Sequence, residues 1–396
     1  MTSKDYSTLV VRDDVEVPEG FQSLVRPTFR GSTIVFDTAE AFLSRGAGFF
    51  DGYTYGLAGT PTYYALARRL AEIEKADHCV LSPSGLGAIH LVNQTVLKTG
   101  DHVLIPRSAY GPTQKNASAL LERFGVKVTI YDPLIASGIE ALIEPDTRLI
   151  WLESPGSLTM EIQDVPAIVS VARRHRIATA IDNTWATPIY FDALGHGVDY
   201  SVQALTKYVA GHSDLLMGAV CVNGRDKYEA LRTTADLMGS HVSPDDCVEV
   251  MRGLGTMMVR LARHENSALQ VAKWLDEQPA VDRVLFPGLP TDPGHALWSR
   301  DFSGSTGLMS FTLKDAGFDD ACRFVNKLKL FYIGASWGGI HSLVAIYSTD
   351  SLGAAVARTV RADHLIRIHV GLEGVEDLLE DLQQALSGVT EAFSTK

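Results

Sequence analysis

The chain of 396 residues carries 35 lysines and arginines against 47 aspartates and glutamates, a formal net charge of −12 at pH 7. This acidic balance argues against nucleic acid as the main partner, because phosphate binding needs a basic surface. No stretch reaches the roughly 18 apolar residues of a membrane span, the start has no signal-peptide pattern, and the four cysteines form no C-x-x-C pair. We therefore expect a cytoplasmic protein without a metal site.

The first two thirds of the chain predict an arm followed by an α/β domain. Residues 1–60 show little periodicity and indicate an N-terminal arm with connecting loops. Residues 61–240 alternate strand and helix patterns, which is typical of a mostly parallel sheet covered by helices. The predicted helices are 60–76, 83–100, 113–125 and 165–176, and the predicted strands are 78–82, 101–106, 126–132, 147–154, 177–184, 199–207 and 215–222.

The pattern changes from about residue 241 onward. A long helical stretch is predicted over 245–278, followed by strand-like 307–313, helix-like 319–330 and strand-like 365–370. These segments predict a smaller α+β domain over 241–396, after the arm (1–60) and the large domain (61–240).

Lys207 lies in an otherwise uncharged stretch, QALTKYVAGHS. A lysine that reaches water at a strand edge is the common case, but a buried one is costly unless it is paired or used covalently. Asp182 ends an apolar strand, and the carboxyl ends of parallel strands line ligand crevices. Gly85 and Leu86 open a predicted helix whose free amides suit a phosphate. A lysine, an acid and a phosphate-binding turn together match the needs of pyridoxal 5′-phosphate.

The stretch DYSVQALTKYVAGHSD resembles the lysine signature of the pyridoxal-phosphate-dependent Cys/Met-metabolism (trans-sulfuration) family, and ESPGSLTMEIQDVPAIV resembles its β-lyases. Matching segments recur from 32–38 to 365–382. The resemblance implies fold type I, the aspartate-aminotransferase-like fold with a large cofactor domain. It also implies α,β-elimination of L-cystathionine to homocysteine, pyruvate and ammonia, and elimination from other β-thio amino acids such as cystine.

The resemblance also implies a role for each matching residue. Lys207 would form the Schiff base and move protons, Asp182 would pair with the pyridine nitrogen, and Tyr110 would stack on the ring and exchange protons. Arg367 would clamp the substrate α-carboxylate, although an arginine there could also form a structural ion pair. The further cofactor-binding and substrate-binding positions are Gly85, Leu86, Thr206, Tyr55, Ser336 and Trp337.

Four positions depart from common family patterns. Leu57 stands where an arginine normally reaches the phosphate of the neighbouring subunit, so one charged partner of the phosphate is missing. Ala204 replaces a frequent serine, and His341 replaces a common glutamate. Ser157 occupies a position that is asparagine in the γ-acting relatives, which favours a β-lyase.

Three functions remain open at this point. The first is a β-lyase, and the second is a γ-acting relative, namely a γ-lyase, a γ-synthase or an O-acyl-homoserine sulfhydrylase. The third is a non-catalytic pyridoxal-phosphate-binding regulator. Because the family role of Tyr55 requires a second subunit, we expect a homo-oligomer, with a pair of dimers preferred.

Overall fold

The computed structural model describes residues 5–11, 19–20, 23–24, 27–352 and 360–394. Parts of the predicted arm lie outside these residues. Two sheets organise the described chain, one of seven strands and one of five. No helix within the described ranges is long and apolar enough to cross a membrane.

The seven-stranded sheet is built from strands between residues 78 and 222. Its strands are β1 (His78–Ser82), β2 (His102–Pro106), β3 (Lys127–Tyr131), β4 (Thr147–Glu153), β5 (Ala178–Asp182), β6 (Tyr200–Ala204) and β7 (Gly218–Val222). They lie in the order β1-β7-β6-β5-β4-β2-β3, and β7 alone is antiparallel to its neighbours. Every residue of β2 and β7 is buried, because helices cover both faces of the sheet.

The helices of this half begin at residues suited to helix starts. They are α1 (Tyr6–Val11), α2 (Ala39–Leu43), α3 (Pro61–Glu74), α4 (Gly85–Val96), α5 (Gly111–Asn116), α6 (Val165–His175), α7 (Thr187–Tyr190) and α8 (Arg225–Leu237). The Thr60 hydroxyl accepts the Tyr63 amide before α3, and the Ser84 hydroxyl accepts the Gly87 amide at the start of α4. Short 3-10 or π-helical turns occupy 45–48, 56–58, 117–124 and 136–142.

The second sheet lies in the C-terminal part of the chain, in the order β10-β11-β12-β9-β8. The elements are α9 (Pro244–Leu254), α10 (Met257–Asp276), β8 (Val281–Leu285), α11 (His295–Asp301), β9 (Leu308–Leu313), α12 (Phe318–Lys327), β10 (Tyr332–Ile333), β11 (Leu343–Ser348), α13 (Thr349–Leu352), β12 (His364–His369) and α14 (Val375–Ser394). Only the β10–β11 pair is parallel. One hydrophobic core runs from α6 and β5 into β9 and β12, so the two sheets pack together.

The prediction of an α/β fold with a mostly parallel sheet is confirmed, with local differences. The helical stretch 245–278 is two helices, because the chain breaks at Gly255 and Thr256. The strand predicted over 199–207 ends at Ala204, where the backbone turns. The domain boundaries at 60 and 240 stay predictions, and the two sheets lie on either side of the second one.

Candidate active site

A cavity of about 170 Å³ lies at the carboxyl ends of β4, β5 and β6, and Leu308 and Trp337 line it from the C-terminal part of the chain. Its position follows from the topology, since parallel strands end on one side of the sheet and leave a crevice there. Its walls are formed by Ser84, Gly85, Leu86, Ile89, Tyr110, Glu153, Pro155, Ser157, Asp182, Thr184, Trp185, Ala204, Thr206, Lys207, Leu216, Leu308 and Trp337. Seven of the residues predicted from the sequence are therefore brought together: Gly85, Leu86, Tyr110, Asp182, Thr206, Lys207 and Trp337.

Lys207 lies in the turn that follows β6. Its Nζ donates a hydrogen bond to Ser336 Oγ at 2.9 Å and lies 5.2 Å from the centre of the Trp337 ring. Burial lowers the pKa of Lys207 from 10.5 to about 8, with a further contribution from Arg367 and an opposing one from Asp182. The amine is therefore available as a base or nucleophile at a lower pH than an ordinary lysine.

The turn that carries Lys207 is held from two sides. The Thr206 hydroxyl accepts the Met217 amide at 3.0 Å and lies 3.2 Å from the Met217 carbonyl, which closes the connection between β6 and β7. Buried Arg260 donates to the carbonyls of Tyr208, at 2.7 Å, and Val209, at 3.3 Å. This turn keeps the lysine at the cavity wall, while the Thr206 hydroxyl is already engaged by Met217.

Asp182 is the last residue of β5, and Thr184 orients its carboxylate. The amide of Thr184 donates to Asp182 Oδ1 at 3.1 Å, and its hydroxyl donates to the same oxygen. The Thr184 hydroxyl in turn accepts the amide of Ala204 at 2.8 Å. Burial raises the pKa of Asp182, while Thr184 and Lys207 oppose that shift. A protonated ring nitrogen placed in the cavity would give this desolvated carboxylate a charged partner.

The N-terminus of α4 lies at the cavity and has the geometry that a phosphate site needs. In its first turn the amide of Gly87 is bonded to the Ser84 hydroxyl and that of Ala88 to the Ser84 carbonyl. The amides of Gly85 and Leu86 precede these bonds, and both residues line the cavity. A Cβ on Gly85 would lie 2.6 Å from the Cβ of Ala204, so glycine is required for this close approach. The cradle, Asp182 and Lys207 together fit pyridoxal phosphate.

Arg367 is 5% exposed and lies on β12. In the described chain the one hydrogen bond of its guanidinium goes to the Ala335 carbonyl, at 2.7 Å, and the guanidinium forms no ion pair with a carboxylate. Burial lowers its pKa. The structural ion pair considered from the sequence is thus not found among the described residues, and the guanidinium has donors left for an anionic ligand.

Several predicted positions lie away from the cavity. Tyr55 is 54% exposed and does not line it, and Leu57 is half-buried outside it. His341 is exposed, with its ring 6.1 Å from that of Tyr332. The roles of Tyr55, Ser336 and the other candidates stay predictions.

Glu153 and Thr184 are polar lining residues that the sequence reasoning missed. Glu153 ends β4 as Asp182 ends β5, and the two residues pair in register. The rule that singled out Asp182, an acid at the carboxyl end of a parallel strand, would have found Glu153 as well.

Comparison with known proteins identifies the family. A family model described as Cys/Met metabolism PLP-dependent enzyme matches residues 7–387. Cystathionine beta-lyase MetC of Escherichia coli K12 is 41% identical over 367 residues, covering 91% of this chain and 92% of that protein. The cystathionine beta-lyase of Haemophilus influenzae is 39% identical over 393 residues, with 96% and 98% covered.

A solved structure shows the same fold. Cystathionine gamma synthase from Xanthomonas oryzae, in complex with aminoacrylate and cysteine, matches with a TM-score of 0.89 at 31% identity. The match covers 98% of this chain and all of the other. The family resemblance read from the lysine signature is confirmed, and with it the cofactor: the chain belongs to the Cys/Met-metabolism family of pyridoxal-phosphate-dependent enzymes.

Proposed function

We propose that the protein is a carbon–sulfur lyase that converts L-cystathionine to homocysteine, pyruvate and ammonia by α,β-elimination, and that it also accepts other β-thio amino acids such as cystine. The observation that carries the proposal is the Lys207 amine, with a pKa lowered to about 8, at a cavity that Asp182 and the Gly85 cradle complete. The β-lyases among the relatives support this choice of reaction.

Arg367 binds the substrate in this proposal. Its buried guanidinium offers donors to an α-carboxylate, and a charge-assisted bidentate pair fixes orientation as well as position. Burial and then the negative charge of Asp182 raise the pKa of Tyr110, and the positive charge of Arg367 opposes this shift. The phenol therefore stays protonated near neutral pH and can donate a hydrogen bond.

Lys207 moves the proton. Pyridoxal phosphate held by Lys207, Asp182 and the Gly85 cradle would supply a carbonyl group for the substrate amine and a ring that withdraws electrons from the α-carbon. The neutral amine of Lys207 takes the α-proton, and the Cβ–S bonding pair leaves with sulfur, which is then protonated to homocysteine. The remaining three-carbon unit takes up water and is released as pyruvate and ammonia. Asp182 keeps its negative charge at the cavity wall in this proposal.

The structural match to a cystathionine gamma synthase is an observation in favour of the γ-acting alternative. Such chemistry must also remove a β-proton and yields 2-oxobutyrate from L-cystathionine. Product analysis with the wild type and with Lys207→Ala as the control separates the cases. We expect pyruvate from the wild type alone. Formation of 2-oxobutyrate would identify the protein as a γ-lyase instead of a β-lyase. The absence of any product from a cofactor-loaded protein would favour the non-catalytic regulator.

The proposal includes a cytoplasmic homo-oligomer, with a pair of dimers preferred. It is supported by the family role of Tyr55 and by exposed apolar side chains in the segment before α3, among them Val35, Phe42, Leu43 and Tyr53. Sedimentation should show a tetramer of about four times the chain mass. An active monomer would contradict it.

A further inference from the structure

Glu153 is a buried carboxyl group at the cavity that the proposed reaction does not use. It ends β4 directly beside Asp182, which ends β5. In the described chain neither carboxylate forms an ion pair with an arginine, lysine or histidine. Two desolvated acids therefore lie side by side at one end of the sheet. Burying a carboxyl group without a cationic partner is costly, which suggests that Glu153 has a function there.

The contact that Glu153 makes leads to Tyr110. Its Oε2 accepts the main-chain amide of Tyr110 at 2.7 Å. Tyr110 is the residue before α5, a helix of six residues, so this bond fixes the point from which the tyrosine ring projects. Tyr110 as a whole residue is 43% exposed, so burial alone does not fix its position.

Glu153 is itself rigidly held by the sheet. Its amide donates to Gln163 Oε1 at 2.8 Å, and Gln163 Nε2 donates to the Tyr131 hydroxyl at 2.9 Å. That hydroxyl donates to the carbonyl of Trp151, at 2.6 Å. A continuous series of buried hydrogen bonds thus connects Tyr110 to the interior of the seven-stranded sheet, which gives the bond between Glu153 and Tyr110 a fixed base.

The two carboxyl groups have unequal surroundings. Burial and then the charge of Asp182 raise the pKa of Glu153 well above its usual range, and the amide of Tyr110 alone opposes this. Asp182 receives two bonds from Thr184 and the attraction of Lys207. Because adjacent buried acids avoid double ionisation, the proton belongs on Glu153 and the charge on Asp182.

We propose that Glu153 is a positioning residue: as the uncharged member of the carboxyl pair, it holds Tyr110 by its main-chain amide and leaves the negative charge of the site to Asp182. The inference rests on the proposed function in one respect, namely that Tyr110 acts on the cofactor and the substrate. It assigns to Glu153 no contact with either of them.

The test compares Glu153→Gln with Glu153→Ala, each alone and combined with Tyr110→Ala. The glutamine keeps an oxygen for the Tyr110 amide and carries no charge, so kcat/KM and the dissociation constant of pyridoxal phosphate should stay within about threefold of the wild type. The alanine removes the acceptor, and we expect about a tenfold or greater loss in kcat/KM and weaker cofactor binding. In the Tyr110→Ala background, Glu153→Ala should have little further effect on either quantity.

The outcomes separate the alternatives. If Glu153→Gln is as damaging as Glu153→Ala, the charge of Glu153 matters and the inference is overturned. Equal losses from Glu153→Ala with and without the Tyr110 ring would show a general structural role, which also overturns it. Cofactor binding to the apoprotein, followed by absorbance, does not depend on lyase activity. A wild type that forms no pyruvate would refute the proposed function. The cofactor-binding measurements on the single and double variants would then still test whether Glu153 positions Tyr110.

Discussion

In the cofactor-free protein, Lys207 should change from an ammonium ion to a free amine at a pH that is low for a lysine. With a pKa of about 8, roughly one molecule in ten is neutral at pH 7, against about three in ten thousand for the ordinary 10.5. The fraction of Lys207 that is a free amine at pH 7 is therefore about 300 times that of an ordinary lysine.

The assay is reductive labelling of the apoprotein with pyridoxal, which lacks the phosphate, and cyanoborohydride between pH 6 and 9. Peptide mass analysis then measures the rate at Lys207. The rate should rise about tenfold per pH unit and level off above pH 8. Lys75 is the internal control, because its hydrogen bond to Asp192 raises its pKa and should keep it slow.

Two variants test the cause of the lowered Lys207 pKa, because they should shift this pKa in opposite directions. Arg367 lowers the pKa of Lys207, so Arg367→Gln should move the midpoint to higher pH. Asp182 raises that pKa, so Asp182→Asn should move the midpoint to lower pH. A wild-type rate that still climbs steeply above pH 9, or shifts of the same sign in both variants, would refute the electrostatic account of this amine.

Three further outcomes are expected. Leu57→Arg should slow cofactor dissociation, most visibly during turnover with an amine substrate, because the phosphate gains a cation; equal or faster loss would show that it never lacked charge. Arg367→Leu should lower kcat/KM for L-cystathionine by roughly 100-fold, the equivalent of about 3 kcal/mol, which an unchanged value would contradict. Burial raises the pKa of Glu74 from 4.5 to about 7, so the wild type should lose stability as pH rises between these values. Glu74→Gln, measured by urea unfolding from pH 4.5 to 8, should not show that loss; parallel curves would exclude Glu74 as its source.

The sequence was most informative where one local rule decided the structure. Strand β1 is found over 78–82, as its apolar run predicted, because strands buried on both faces need no alternation. Lys207 and Asp182 could be placed on one rim because the ends of neighbouring parallel strands share an edge. The family signature then supplied the chemistry that these two residues alone left open.

Contacts between distant segments were beyond such rules. Ser336 meets Lys207 although 129 positions separate them, and nothing near either residue encodes that approach. The break at Gly255 was missed because the apolar pattern continues through it; at Gly253 a side chain would lie 2.0 Å from the Ala210 carbonyl, so a neighbouring loop shapes this stretch. Tyr55 does not line the cavity of the single chain, and its family role needs the neighbouring subunit.

The turn after β6 has a consequence for engineering the chain. Surface connections between strands normally tolerate added residues. The one between β6 and β7 should not, because Thr206 is tied to Met217 at the far end and Arg260 holds the carbonyls between them. Gly211, with φ of +72°, has no room for a Cβ beside that guanidinium. Insertions, loop grafts and circular permutation sites are therefore better placed outside residues 204–218, however loop-like that stretch looks.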